Sequence, residues 1–100
     1  MLEKEIEAKL TAMVQRNGGL CLKWVCPGWR GVPDRILLFP QGRVYFVELK
    51  RPEGSRVAPL QTWWKRRLEN LGFAIWHIDS IERLNHLELM LINELSKNKW

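Results

Sequence analysis

The sequence predicts an α/β fold in the order α-β-β-β-α-β-α, a mixed sheet flanked by helices. Three observations predict it. Two short apolar runs, Ile36–Phe39 and Val44–Val47, flank Pro40-Gln41-Gly42-Arg43, a turn because proline fixes φ and glycine tolerates positive φ. β-branched and aromatic runs of this length, bounded by Gly and Pro, read as a hairpin. A third such run, Phe73–Ile78, returns after a helical segment, and such a crossover joins parallel strands. Helix-period apolar patterns occupy both ends of the chain.

Taken in order, residues 2–16 are expected to form the first helix, because Ile6, Leu10, Met13 and Val14 fall on one face. Asn17-Gly18-Gly19 ends it with a left-handed cap. Residues 20–25 alternate as a strand. The loop 26–33 holds two glycines, two prolines, Trp29 and Arg30, and leads into Asp34 at the start of the hairpin. Trp29 either stacks on a base or packs to pin the loop, and Arg30 suits a phosphate. Arg35 points away from Asp34 and receives no role. After a loop at 51–56, Pro59 opens the second helix at a position where its missing N–H costs nothing. Its apolar stripe is Leu60, Trp64, Leu68 and Leu71; Trp63 and Trp64 are too far apart around the helix for both to be buried. His77 on the last strand is read as structural. Asp79 or Ser80 caps the final helix, with Glu82 completing a capping box. That helix is apolar on more than one side (Leu89, Met90 and Ile92 widen the stripe), so it is expected to bury its second side against another copy of the chain. Residues 96–100 are expected to be a frayed tail.

The chain has 100 residues, 46% hydrophobic and 27% charged, the size and composition of one small domain spanning 1–100. No apolar stretch approaches the roughly 20 residues that span a bilayer, and the N-terminus lacks a signal-peptide pattern. With two cysteines, Cys21 and Cys26, read as reduced thiols, the expectation is a cytoplasmic, non-secreted protein with no membrane partner. The net charge is +5, and residues 50–67 carry all of it, with Lys50, Arg51, Arg56, Lys65, Arg66 and Arg67 against Glu53. A basic segment of this kind suits a polyanion.

Hairpin pairing brings Asp34 beside Glu48-Leu49-Lys50, and the alternation of a strand puts Glu48 and Lys50 on one face with Leu49 on the other. Two carboxylates and an ammonium on one face suit a Mg²⁺ site acting on a phosphoryl group. Pro33-Asp34 followed by Glu48-Leu49-Lys50 resembles the signature of the PD-(D/E)XK nuclease superfamily. The fuller string, Gly31-Val32-Pro33-Asp34, Val47-Glu48-Leu49-Lys50 and Gln61, is similar to its VRR-NUC branch. The resemblance runs from about Glu3 to Ile78.

The resemblance implies a PD-(D/E)XK nuclease-like fold and DNA hydrolysis with Mg²⁺ or Mn²⁺ and no nucleotide cofactor. Asp34, Glu48 and the Leu49 backbone carbonyl hold the metal, Lys50 activates the attacking water, and Gln61 supports water or phosphate. An acid of the first helix joins them directly or through water; Glu3-Lys4-Glu5-Ile6 fits the family's Glu-x-x-Ile pattern, with Glu7 in reserve. Arg30, Arg51, Arg56, Lys65 and Arg66 are the expected DNA contacts. Stand-alone domains of this size resemble homodimeric endonucleases that cut Holliday-type junctions. The alternatives are a flap- or nick-directed nuclease, a catalytically silent DNA-binding module, and a small α/β protein that binds acidic partners through residues 50–67.

Overall fold

The computed structural model describes residues 3–49 and 59–97. Helix α1 (Glu3–Arg16) leads to strands β1 (Leu20–Lys23), β2 (Arg35–Phe39) and β3 (Arg43–Leu49); helix α2 (Pro59–Asn70), strand β4 (Ala74–Ile78) and helix α3 (Ile81–Leu95) follow. The four strands form one sheet in the order β1-β2-β3-β4. The β1/β2 and β2/β3 pairs are antiparallel and the β3/β4 pair is parallel, so the expected mixed α/β sheet with its hairpin and crossover is present.

Strand alternation gives the sheet two different faces. Leu37, Phe39, Val47, Leu49 and Ile78 point to one, where Ile6, Leu10, Met13 and Val14 of α1 and Leu84, Leu87 and Leu91 of α3 close a continuous apolar core. Ile36, Val44, Phe46 and Ile75 point to the other, where α2 covers them through Trp64 and Leu68, and Trp24, just after β1, packs against Phe46. Both α1 and α2 end on the predicted glycines. Gly18 and Gly72 are left-handed, and the amides of Gly19 and Phe73 reach back to the carbonyls of Val14 and Leu68, the six-to-one bond of a Schellman cap.

Three local features differ from the sequence reading. In the hairpin turn the positive φ is shared between Gly42 and Gln41, whose φ is 67°, because three residues bridge the Phe39–Arg43 pair. A non-glycine residue there costs about 1 kcal/mol. At α3 the cap is Ser80, whose hydroxyl accepts from the Arg83 amide; that puts Glu82 one position too early for a capping box, and Asp79 pairs with Arg83 instead. In α2 only Leu68 is fully buried, while Leu60 and Leu71 stand exposed at either end. On α3, Leu89, Met90 and Ile92 are exposed, as its wide apolar pattern predicts. No helix among the described residues is long and apolar enough to cross a membrane.

Candidate active site

The β2/β3 register pairs Arg35 with Val47, so one step further Asp34 stands across from Glu48. Two contacts fix the arrangement. The Leu49 amide donates to Asp34 Oδ2 at 3.0 Å, and Gln61 Nε2 donates to Glu48 Oε1 at 2.9 Å. Residues separated by 14 or 15 positions along the chain, and a third from the first turn of α2, thus converge at the carboxyl end of β3. The Asp34 main chain is held as firmly as its side chain: its carbonyl accepts from the Trp24 amide at 2.8 Å and from the Arg35 guanidinium at 3.0 Å. Glu48 is only 4% exposed, and Leu49 turns the other way into the core beneath α1 and α3. The alternation that sets Glu48 and Leu49 on opposite faces is therefore the one expected.

Arg35 acquires a role that sequence alone withheld. It is buried, and its guanidinium pairs with Glu7 of α1. This happens on the α1 face, opposite the face that carries Glu48 and Gln61, because Arg35 alternates with Ile36 along β2. Glu7 therefore serves the clamp behind Asp34. A signal was present: a cation next to Asp34 on the core side of an apolar strand needs an anion, and α1 supplies acids at Glu3 and Glu7. His77, structural on the sequence reading, lies next to the site in the sheet. It pairs with Glu48 in the parallel β3/β4 register, which no local pattern in the sequence discloses. Glu3 is half-buried at the first residue of α1.

Of the basic residues, Arg30 is exposed in the loop before Asp34, Arg66 is exposed on α2, and Lys65 follows Gln61 by one turn. Lys65 lines a groove of about 660 Å³ with Thr62, His77, Arg83 and His86. Lys50, Arg51 and Arg56 lie outside the described residues.

The donor set suits a hard divalent cation. Asp34 and Glu48 offer carboxylate oxygens, and the Leu49 carbonyl belongs to the residue whose amide already holds Asp34. Among the described residues no group of three or more His, Cys, Asp and Glu side chains gathers as a metal cage. Mg²⁺ does not ask for one, since it is commonly held by one or two carboxylates with water and substrate phosphate completing its shell. Cys21 and Cys26 are both free thiols, and burial raises the pKa of Cys21.

No protein-family model matches the chain. It is 42% identical over 78 residues to "Putative nuclease p44" of Acyrthosiphon pisum secondary endosymbiont phage 1, a match spanning 78% of this chain and 83% of the phage protein. Its fold is similar to a solved VRR_NUC domain with a TM-score of 0.79 and 25% sequence identity, covering 91% of this chain and 94% of that one.

Proposed function

The chain belongs to the VRR-NUC family of PD-(D/E)XK nucleases, and on that premise we propose that it is a Mg²⁺- or Mn²⁺-dependent endonuclease that hydrolyses DNA phosphodiester bonds. The observation that carries this reading is the convergence of Asp34, Glu48, Leu49 and Gln61 through two hydrogen bonds on the half-covered face of the sheet.

In this mechanism Asp34, Glu48 and the Leu49 carbonyl would hold the cation, with Glu3 assisting directly or through a water. A divalent cation bound there would supply polarisation of a phosphoryl oxygen and a lowered pKa for bound water. Lys50 orients the attacking water and neutralises charge that develops on the phosphate. Water adds to phosphorus, one P–O ester bond breaks, and the water's proton ends on the departing oxygen. Gln61 keeps Glu48 oriented through its amide and supports the water or the phosphate. Arg30, Arg51, Arg56, Lys65 and Arg66 neutralise the phosphates on either side, an attraction that weakens as salt rises. The Arg35–Glu7 pair holds the Asp34 backbone from behind.

The substrate in this reading is branched DNA of the Holliday-junction type, cut by a homodimer. What supports a dimer is the exposed Leu89, Met90 and Ile92 on α3, an apolar surface a second copy can cover. A two-fold dimer offers two sites to two symmetric strands. The free thiols Cys21 and Cys26 suit an intracellular setting.

The test incubates the protein with labelled four-way junction, flap and linear duplex, with Mg²⁺, Mn²⁺ or EDTA, beside the Lys50→Ala variant. Symmetric, metal-dependent junction nicks that vanish in the variant are the expected result. Cleavage confined to flap or duplex would keep the chemistry and replace the substrate. Salt-sensitive DNA binding without any cleavage would make the chain a silent binding module.

A further inference from the structure

Beside the carboxylate site, the loop before Asp34 and the first two turns of α2 form an open apolar cleft of about 720 Å³, lined by Trp29, Arg30, Leu60, Trp63 and Trp64. Its size falls within the roughly 300–1,000 Å³ of small-molecule sites. Trp64 is the structural member. Its indole Nε1 donates to the Arg30 carbonyl at 2.7 Å, and its ring meets those of Trp24, Trp29 and Trp63 at centroid distances of 6.2, 5.8 and 5.1 Å. The loop is pressed onto α2 so closely that a Cβ on Gly31 would stand 2.8 Å from Leu60 Cγ, and φ of +82° at Gly31 also excludes most side chains. The cleft walls are therefore fixed by packing, while Trp29 and Trp63 stay 60% and 50% exposed.

Two indoles left half in solvent, with the exposed Arg30 lining the same cleft, match a ligand that is flat and aromatic at one end and anionic at the other. Both walls also belong to the site: the loop continues into Asp34, and Leu60 adjoins Gln61. We propose that this cleft takes one nucleobase of the DNA substrate that has left the duplex stack, as a base at a branch point can, stacked against Trp63 and Trp29 while Arg30 meets its phosphate. The inference rests on the nuclease reading for its substrate, and a paired base within a duplex stack is not available to it.

The test compares a fluorescein-labelled oligothymidylate with an abasic strand of equal length, by anisotropy in EDTA. Both strands carry the same phosphates, so the electrostatic contribution cancels and the difference reports the bases. The base-bearing strand is expected to bind about 5- to 150-fold more tightly, the worth of stacking one base on an aromatic ring. Trp63→Ala and Trp29→Ala are expected to erase most of that preference and Trp63→Phe to keep it, with circular dichroism and light scattering confirming unchanged fold and molar mass. Equal affinity for the two strands, binding to neither, or a preference that survives both alanine variants would overturn the proposal. So would a Trp63→Ala protein whose molar mass falls while its base preference stays, since the cleft would then be a contact between copies. Cleavage in Mg²⁺ is followed in parallel. A lost preference with cleavage intact removes only the cleft, and an intact preference without cleavage removes only the hydrolase.

Discussion

The two faces of the sheet are built from the same strands yet hold very different things. Under α1 and α3, twelve buried apolar residues form one continuous core. Under α2 the buried apolar cluster is Phe46, Leu68 and Ile75, and half-exposed tryptophans and the Asp34–Glu48 site take up the rest of the face. Burial of apolar area is the main favourable contribution to folding, at about 25 cal/mol per Å². One face supplies most of that area, which leaves the other free to carry a buried carboxylate that a well-packed core would exclude. On the proposed reading, strand alternation places stability on one face and chemistry on the other.

The sharpest way to break this division is to damage each face and read both properties. Leu87→Ala under α3 is expected to cost about 2–5 kcal/mol of unfolding free energy, because the surrounding core collapses poorly around a cavity. Leu68→Ala under α2 is expected to lie near the lower end of that range, since its neighbours Trp64 and Trp24 are only partly buried. Urea unfolding of both variants checks this, and a larger cost at Leu68 would reverse the assignment of roles.

Metal binding sharpens the comparison from the other side. A cation that binds the native protein alone should raise its stability by about 2.7 kcal/mol at one hundred times its dissociation constant. Thermal melts with and without Mn²⁺ are expected to show this rise in the wild type and in Leu87→Ala, and to lose it in Asp34→Asn. A rise that persists in Asp34→Asn would place the cation elsewhere.

The smallest effect belongs to the rim of the stable face, where α1 meets α3. Arg16 bonds Glu88 at 2.7 Å and Asn17 joins it at 2.8 Å, and the two hold the Glu88 carboxyl below its ordinary value, Arg16 contributing most. A group whose folded pKa is depressed adds stability above its unfolded value and loses it as pH falls through the folded one. The gap in thermal midpoint between wild type and Glu88→Gln should be widest near neutrality and close below about pH 4.5. Arg16 is exposed, so the gap should be small and shrink further in high salt.

Much of this division was legible in the sequence because it follows from short-range rules. The Pro40–Gly42 turn sets the register of the hairpin, and the register sets Asp34 against Glu48. The period of two then assigns Glu48 and Leu49 to opposite faces. The spacing from Pro59 placed Gln61 in the first turn of α2, where its side chain reaches Glu48. What escaped depends on which helix covers which face. The stripe on α2 reads as a buried face, yet Leu60 and Leu71 are exposed, because among the described residues no second helix lies on that side of the sheet to close over its ends. Glu7 resembles an active-site acid in periodicity, but its partner Arg35 points to the α1 side, and only the packed structure joins the two. His77 came beside Glu48 through a parallel register that a crossover through α2 leaves undetermined in sequence.

The most direct measurement compares Glu48→Gln with Glu7→Gln in metal-dependent cleavage of a labelled four-way junction, with melting curves taken on the same samples. Glu48→Gln keeps the side-chain volume and is expected to stay folded while cleavage falls by about 10³-fold or more, beyond the loss of a single electrostatic donor. Glu7→Gln leaves Arg35 without its charged partner and is expected to lose about 1–2 kcal/mol of stability while still cutting DNA, the cost being moderated by the exposure of Glu7. An active Glu48→Gln protein, or a stable but inactive Glu7→Gln protein, would contradict the assignment of chemistry to the α2 face.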